Sequence, residues 1–410
     1  MADSPDRTRV VADSGGIGDV TVRDGDAVSG TPADDLLADS AARAERWAST
    51  MKGHRSLDVD GVTLAHSDSW AGSGETRIRS RQEREDLDEK SLARLATRSS
   101  GAGRRAVDEE ADEFRTCFER DRDRILHAAA FRRLAGKTQV FVFPADHQRT
   151  RLTHAIEVAQ VAASIARPLG LNVALVEAIA LGHDCGHGPG GHASEDALAP
   201  FLDEGFDHAP WGADVTLVPL NLCLETLDGI RNHSWSLPAP TTPEGEVVSW
   251  ADRIAYVCHD FEDAVAAGIV TPDELPSVVA SRCGRTRPEQ LGTFITSMIR
   301  TAASTGRVGM ETSIAEALSA FRRFNYDSVY LRPESRRQAE QVIDLLRALV
   351  EFYASEPRHL PGGSGFEAGS RDTLRQAVAY VAGMTDRFAC RQGISLLGWS
   401  NDRLPRGIDV

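Results

Sequence analysis

What this 410-residue chain lacks narrows its identity first. No apolar run approaches the roughly 18 residues of a membrane span, and the opening MADSPDRTRV has no apolar core of a secretion signal. Cysteine is sparse: six residues, at 117, 185, 223, 258, 283 and 390, with no CxxC pair. That scatter argues against a disulfide framework or a zinc knuckle and fits reduced thiols. Positive charge is short as well, with 46 Lys and Arg against 61 Asp and Glu and a net charge of -15. General binding to nucleic acid or anionic membranes is disfavoured, while a local basic site stays open. Strand-like alternation is scarce and no internal repeat is apparent. The expectation is a cytoplasmic globular protein without a membrane partner. At 410 residues the chain is long enough for two domains and a sizeable core, and its 41% hydrophobic content is ordinary for a globular protein.

Helical periodicity dominates what is present, so the expected class is all-α. Residues 1–91 read as a variable, partly disordered extension. Residues 1 to about 30 are Asp- and Gly-rich without an aromatic, and an amphipathic helix from Pro32 uses Leu36, Leu37, Ala41, Ala44 and Trp47. Residues 92–265 read as the catalytic core, and 266–410 as further helices packed on it.

The core turns on residues 149–195. A first helical segment places Leu152, Ile156, Ala159, Ala163 and Ala166 at helical spacing and carries His154 just after Arg151. A second, Val173 to Leu181, is nearly all apolar and runs into His183-Asp184, then His187, a run of glycines and His192. A buried carboxylate costs several kcal/mol unless it is paired or binds a metal. An isolated His-Asp pair is most simply a helix cap. Here, though, five of the chain's 12 histidines fall between 154 and 208 (His154, His183, His187, His192 and His208), which turns the reading towards a metal. Imidazole nitrogen with carboxylate oxygen and no thiolate suits a borderline-to-hard divalent cation.

Two more features bear on the chemistry. Between Arg120 and Arg151 lie eight Lys or Arg and three acids, a local positive excess in an acidic chain. Arg151 and Lys137 within it read as a polyphosphate clamp, the alternative being a solvated helix face. Further on, Asp252, Tyr256 and Asp260 recur every four residues and share one helix face. Asp252 completes a set of two histidines and two aspartates.

The order His154, His183-Asp184, Asp252 resembles the HD-domain metal-dependent phosphohydrolases, and within them the dNTP triphosphohydrolases of the dGTPase-like group. The likeness rests on RDRDRILHAAAFRRLAGKTQVF, RTRLTHAIEVAQ, HDCGHGPGGHASEDAL, FDHAPW, WADRIAYVCHDFEDA and AYVAGMTDRFA, and spans roughly residues 92–410. It implies an HD-domain helical fold with additional C-terminal helices. One divalent ion (Mg, Mn, Fe, Co, Ni or Zn) would be held by His154, His183, Asp184 and Asp252. A dNTP would be hydrolysed at the α-phosphorus to deoxynucleoside and tripolyphosphate. His192 with Glu195 matches the catalytic pair, and His187 and His208 match histidines that contact phosphates. Arg151 and Arg253 would hold phosphates, Tyr256 would pack on the sugar, and Asp260 would meet its 3′ side; His233 reads as a structural histidine. The resemblance also implies a homo-oligomer, a hexamer among the options, and single-stranded nucleic acid as a candidate regulator. Alternatives are another nucleotide substrate (monophosphate, cyclic dinucleotide or alarmone) or a weakly catalytic nucleotide-sensing or nucleic-acid-binding protein. Two departures stand out: the family's HDxGHPPFGHxGE has Pro and Phe where this chain has Gly188 and Gly190, and FDHAPW replaces FxHNxQ.

Overall fold

Among the described residues helices carry nearly all the regular structure, sixteen α-helices in all, and the fold is all-α as its periodicity predicts. The computed structural model describes residues 32–406 apart from 51, 71, 75, 145 and 146; the Asp- and Gly-rich stretch to residue 30 lies outside the described residues. The chain divides into two units, residues 1–77 and 78–410. In the first, α1 (Pro32–Thr50) precedes a two-residue hairpin, β1 (His54–Arg55) with β2 (Thr63–Leu64), paired antiparallel with His54 opposite Leu64.

The second unit opens with α2 (Arg81–Ser91), α3 (Cys117–His127) and α4 (Ala129–Arg133). Its centre is α5 (Arg151–Ala166), α6 (Val173–Gly182) and α10 (Pro243–Ala266). Local chemistry starts each of these three. The Thr150 and Asn172 side chains accept from backbone amides three residues into α5 and α6, and Thr242 caps α10 with Pro243 at its first position. α5 packs against both α6 and α10, and α6 also against α3. The contact buries Val158, Ala162 and Ile165 against Leu175, Val176 and Ile179, and against Val247, Ile254 and Val257. Fully burying each such side chain contributes about 1.5–3 kcal/mol.

Between α6 and α10 run α7 (Ala193–Leu198), the single turn α8 (His208–Trp211) and α9 (Leu224–Arg231). Gly186 makes this arrangement possible, since a Cβ there would stand 1.9 Å from the His208 carbonyl oxygen and 2.4 Å from the Gly212 nitrogen. Beyond α10 come α11 (Ser277–Cys283), α12 (Arg287–Thr305) and α13 (Thr312–Asn325). A π-helical turn at Tyr326–Tyr330 follows, then α14 (Pro333–Ser355), α15 (Arg371–Ala382) and α16 (Asp386–Leu397). α12 and α13 join the core of α3, α5, α6 and α10, while α14, α15 and α16 build a second apolar core with α7. Asp386 ties that second core to the first. Its carboxylate accepts from the Thr138 amide (2.8 Å), the Thr138 hydroxyl (2.7 Å) and the Gly190 amide (2.9 Å).

Candidate metal centre and active site

A cavity of about 490 Å³ opens between the two cores. Its floor comes from α5, the end of α6 and α10. His154 Nε2 lies 3.0 Å from Asp252 Oδ1, and His183 Nε2 lies 3.4 Å from Asp184 Oδ1 and 3.7 Å from Asp252 Oδ1. His183 Nδ1 sits 2.6 Å from the Ala180 carbonyl, so that nitrogen carries the proton and donates it. Its Nε2 therefore points a lone pair into the cluster, is fully buried, and makes no hydrogen bond. An imidazole with one nitrogen anchored to a carbonyl and the other bare is the arrangement of a metal-ligating histidine. The four expected ligands fall into two overlapping groups whose ligand atoms lie within 4.8 Å of one another: His154, His183 and Asp252, and His183, Asp184 and His233. The site fits a divalent cation. Its donor types accept any ion from Mg²⁺ to Zn²⁺ and single out none.

The carboxylates here are held ionised. Burial alone would raise Asp184, but neighbouring positive charge, the Arg151 guanidinium among it, keeps it well below the usual range, and the hydrogen bond from His154 does the same for Asp252. Arg151 is buried, with its Nη1 2.8 Å from Asp184 Oδ2. It borders the cavity with one edge already engaged.

Beside the floor stands a histidine array gathered around α7 and α8, with His187 and His192 just ahead of α7, His208 opening α8 and His233 just past α9. Glu195 is shared: Oε1 lies 2.5 Å from His208 Nδ1, and Oε2 lies 3.4 Å from His192 Nδ1. His187 stacks on His208 with ring centroids 3.7 Å apart, and its Nδ1 is buried without a partner. His233, expected to be structural, belongs to this array. Its Nδ1 donates to the Ile230 carbonyl at 2.8 Å, and its Nε2 lies 3.1 Å from His208 Nε2. The first contact requires a proton on Nδ1. Burial, with His183 and His208 nearby, pushes its pKa down to about 3 and keeps the ring neutral, so its Nε2 accepts. His208 Nε2 is then the donor. With Nδ1 facing a carboxylate, His208 carries protons on both nitrogens; burial opposes that charge and Glu195 outweighs it.

The wall is built differently. Arg253 Nη1 lies 3.2 Å from the Tyr256 hydroxyl, and Arg322 Nε donates to the same hydroxyl at 2.7 Å. Among the described residues neither guanidinium has a carboxylate partner. Tyr330 donates to Asp260 Oδ2, whose other oxygen is buried and unpartnered. Burial pushes Asp260 up to about 7.

Residues 151–257 match the HD domain family, and residues 308–393 match the phosphohydrolase-associated domain family. A protein of Caldanaerobacter subterraneus is 40% identical over 312 residues, covering 74% of this chain and 92% of its own length. One of Clostridium perfringens is 39% identical over 302 residues, covering 69% and 87%. One of Deinococcus radiodurans is 36% identical over 371 residues, covering 77% and 99%. All three bear the name deoxyguanosinetriphosphate triphosphohydrolase-like protein. The chain belongs to the dGTPase-like HD-domain phosphohydrolases.

Against that family the expected residues sort unevenly. The structure gathers His154, Asp184, His187, His192, Glu195, His208, Asp252, Arg253, Tyr256, Asp260 and Arg151 around one cavity, with His183 directly beneath. It does not bring Lys137 there. Lys137 is enclosed behind the wall, where its Nζ donates to the carbonyls of His187 and, at 3.0 Å, Ala382. Burial beside Arg133 pushes its pKa down to about 7. The basic run is mostly spent on structure. Arg120 and Arg124 pair with Glu109, Arg122 with Glu177, and Arg149 with Glu157, Glu262 and Asp263. Of that run only Arg151 borders the cavity.

The sequence reading passed over Arg322, Tyr326 and Tyr330. The signal available was the cluster RRFNYDSVYLR, whose tyrosines a π-helical turn carries to the cavity. The aromatic wall missing at Gly190 is replaced from afar. Gly190 has φ +72, and Val342 of α14 puts Cγ1 2.5 Å from where its Cβ would be.

Proposed function

We propose that this chain hydrolyses deoxynucleoside triphosphates at the α-phosphorus, releasing deoxynucleoside and tripolyphosphate. One observation carries the reading: a metal-capable floor faces two guanidiniums, Arg253 and Arg322, that are bonded to a phenol rather than to carboxylates. Guanidiniums left unneutralised beside a cation site suit a ligand bearing several phosphates. A divalent ion held by His154, His183, Asp184 and Asp252 would supply Lewis-acid polarisation of the α-phosphate.

The protein groups divide the remaining work. Arg253 and Arg322 bind the β- and γ-phosphates, with Arg151 at the phosphate end and its Nη1 kept on Asp184. Water attacks the α-phosphorus as its bond to the 5′ oxygen breaks, and that oxygen takes a proton from an imidazole poised by Glu195. His192 fills this role in the family pattern; His208, whose two N–H groups are engaged by Glu195 and His233, holds the same carboxylate in place. His187, stacked on His208, lines the phosphate path. Tyr256 packs on the deoxyribose, and the free Asp260 oxygen accepts from the 3′-hydroxyl. The four dNTPs, each incubated with Mn²⁺ or Mg²⁺ and resolved by anion-exchange chromatography, test this. Tripolyphosphate is the expected product, and pyrophosphate or orthophosphate release would overturn it.

A further inference from the structure

Among the described residues Arg253 has no carboxylate partner, so something else must hold it against the repulsion of neighbouring cations and the pull of solvent. Its guanidinium carbon lies 4.0 Å over the ring of Trp235. Trp235 is itself 4.7 Å from Trp250, ring centroid to centroid, at an interplanar angle of 72°. Trp250 sits on α10 three residues before Arg253, so the indole of Trp235 is wedged between two side chains of one helix. The segment that presents it is tied at both ends. Ser249 donates to the His233 carbonyl at 2.6 Å, and the Thr241 amide and hydroxyl both reach Asp228 Oδ2 at 2.7 Å. Ser234 and Ser236, on either side of Trp235, border the cavity. Trp235 is 49% exposed, an unusual place for an indole that serves only packing.

We infer that Trp235 is a positioning residue for phosphate recognition, holding Arg253 by its face so that the guanidinium edge stays free for the ligand. The physical reason lies in the geometry of the two ways to fix an arginine. A carboxylate binds the in-plane N–H groups and cancels the charge, whereas an aromatic face binds perpendicular to that plane and leaves both the donors and the charge available. Arg253 shows this division: one Nη bonds the Tyr256 hydroxyl, and Nε is buried with no partner in the protein. The inference rests on the proposed triphosphate reading for its ligand and can fail separately from it.

The test uses the metal-loaded full chain and its W235A, W235L and W235F variants. Two quantities are read: the Kd for inorganic tripolyphosphate by calorimetry, and the KM and kcat of dNTP hydrolysis. W235A should weaken tripolyphosphate and raise KM by about 3- to 30-fold, the range of one cation–π contact. The change should fall on KM rather than kcat, with bound metal unaltered. W235F should recover most of the loss and W235L little, because phenyl keeps the ring face while leucine keeps only bulk. Equal Kd in W235A and wild type, recovery by W235L as full as by W235F, or a loss confined to kcat would each overturn the inference. Should wild type hydrolyse no dNTP while tripolyphosphate affinity still follows the ring at 235, the proposed function fails and the role of Trp235 stands.

Discussion

The floor and the wall of the cavity satisfy their charges by opposite means. On the floor, histidines and carboxylates press on one another within hydrogen-bond range, and one imidazole nitrogen, His183 Nε2, is left bare. On the wall, guanidiniums rest on phenol oxygens and aromatic faces, as Arg322 does on Tyr256 and Tyr326 and Arg253 on Trp235. The floor is organised to concentrate charge on one small ion. The wall is organised to keep charge unspent for a larger anion. The contrast teaches that binding metal and binding phosphate ask different things of a residue's neighbours: ligands need second partners that fix their orientation, while phosphate-binding arginines need partners that leave their donors free.

If this division holds, a change on the floor alters metal content and a change on the wall does not. His183→Ala is expected to strip the bound ion and lower dNTP turnover by at least about a thousandfold, as several kcal/mol of Lewis-acid stabilisation are lost. Elemental analysis beside turnover checks this, and full metal occupancy in the variant would break the comparison. Arg322→Ala should raise KM by about 10- to 100-fold, the worth of a charge-assisted hydrogen bond, with unchanged metal content.

The smallest effect sharpens the boundary between the two regions. Asp260, buried next to Tyr330, has its pKa pushed up to about 7. Because the folded state holds this proton more tightly than the unfolded chain does, stability falls as pH rises from about 4 through 7, by up to about 1.4 kcal/mol per pH unit. Asp260→Asn removes that component. Urea midpoints at pH 5 and pH 7.5 should therefore drop more for wild type than for the variant, and parallel drops would place Asp260 among ordinary ionised carboxylates.

Legibility in the sequence followed locality. His154, His183, Asp184 and Asp252 could be named because each stands beside an apolar periodic run that makes its polarity conspicuous. His233 reads as structural, and both its nitrogens are satisfied within the protein, by the Ile230 carbonyl and by His208; what RNHSW does not carry is that one partner is a histidine of the cavity. Lys137 misled for the same reason. A lysine in a turn reads as a free cation until two carbonyls, from His187 and from Ala382 far along the chain, close over it.

By itself the sequence determined the helical class and the donor types of the metal site. These depend on interactions within a turn or two of one helix. Only the tertiary structure decided which basic residues face the cavity, that Val342 fills the space above Gly190, and that Arg322 shares the Tyr256 hydroxyl with Arg253. Those outcomes depend on which distant segments pack together. A charged side chain takes whichever partner the packed cores bring within reach, and residue spacing carries no record of that choice.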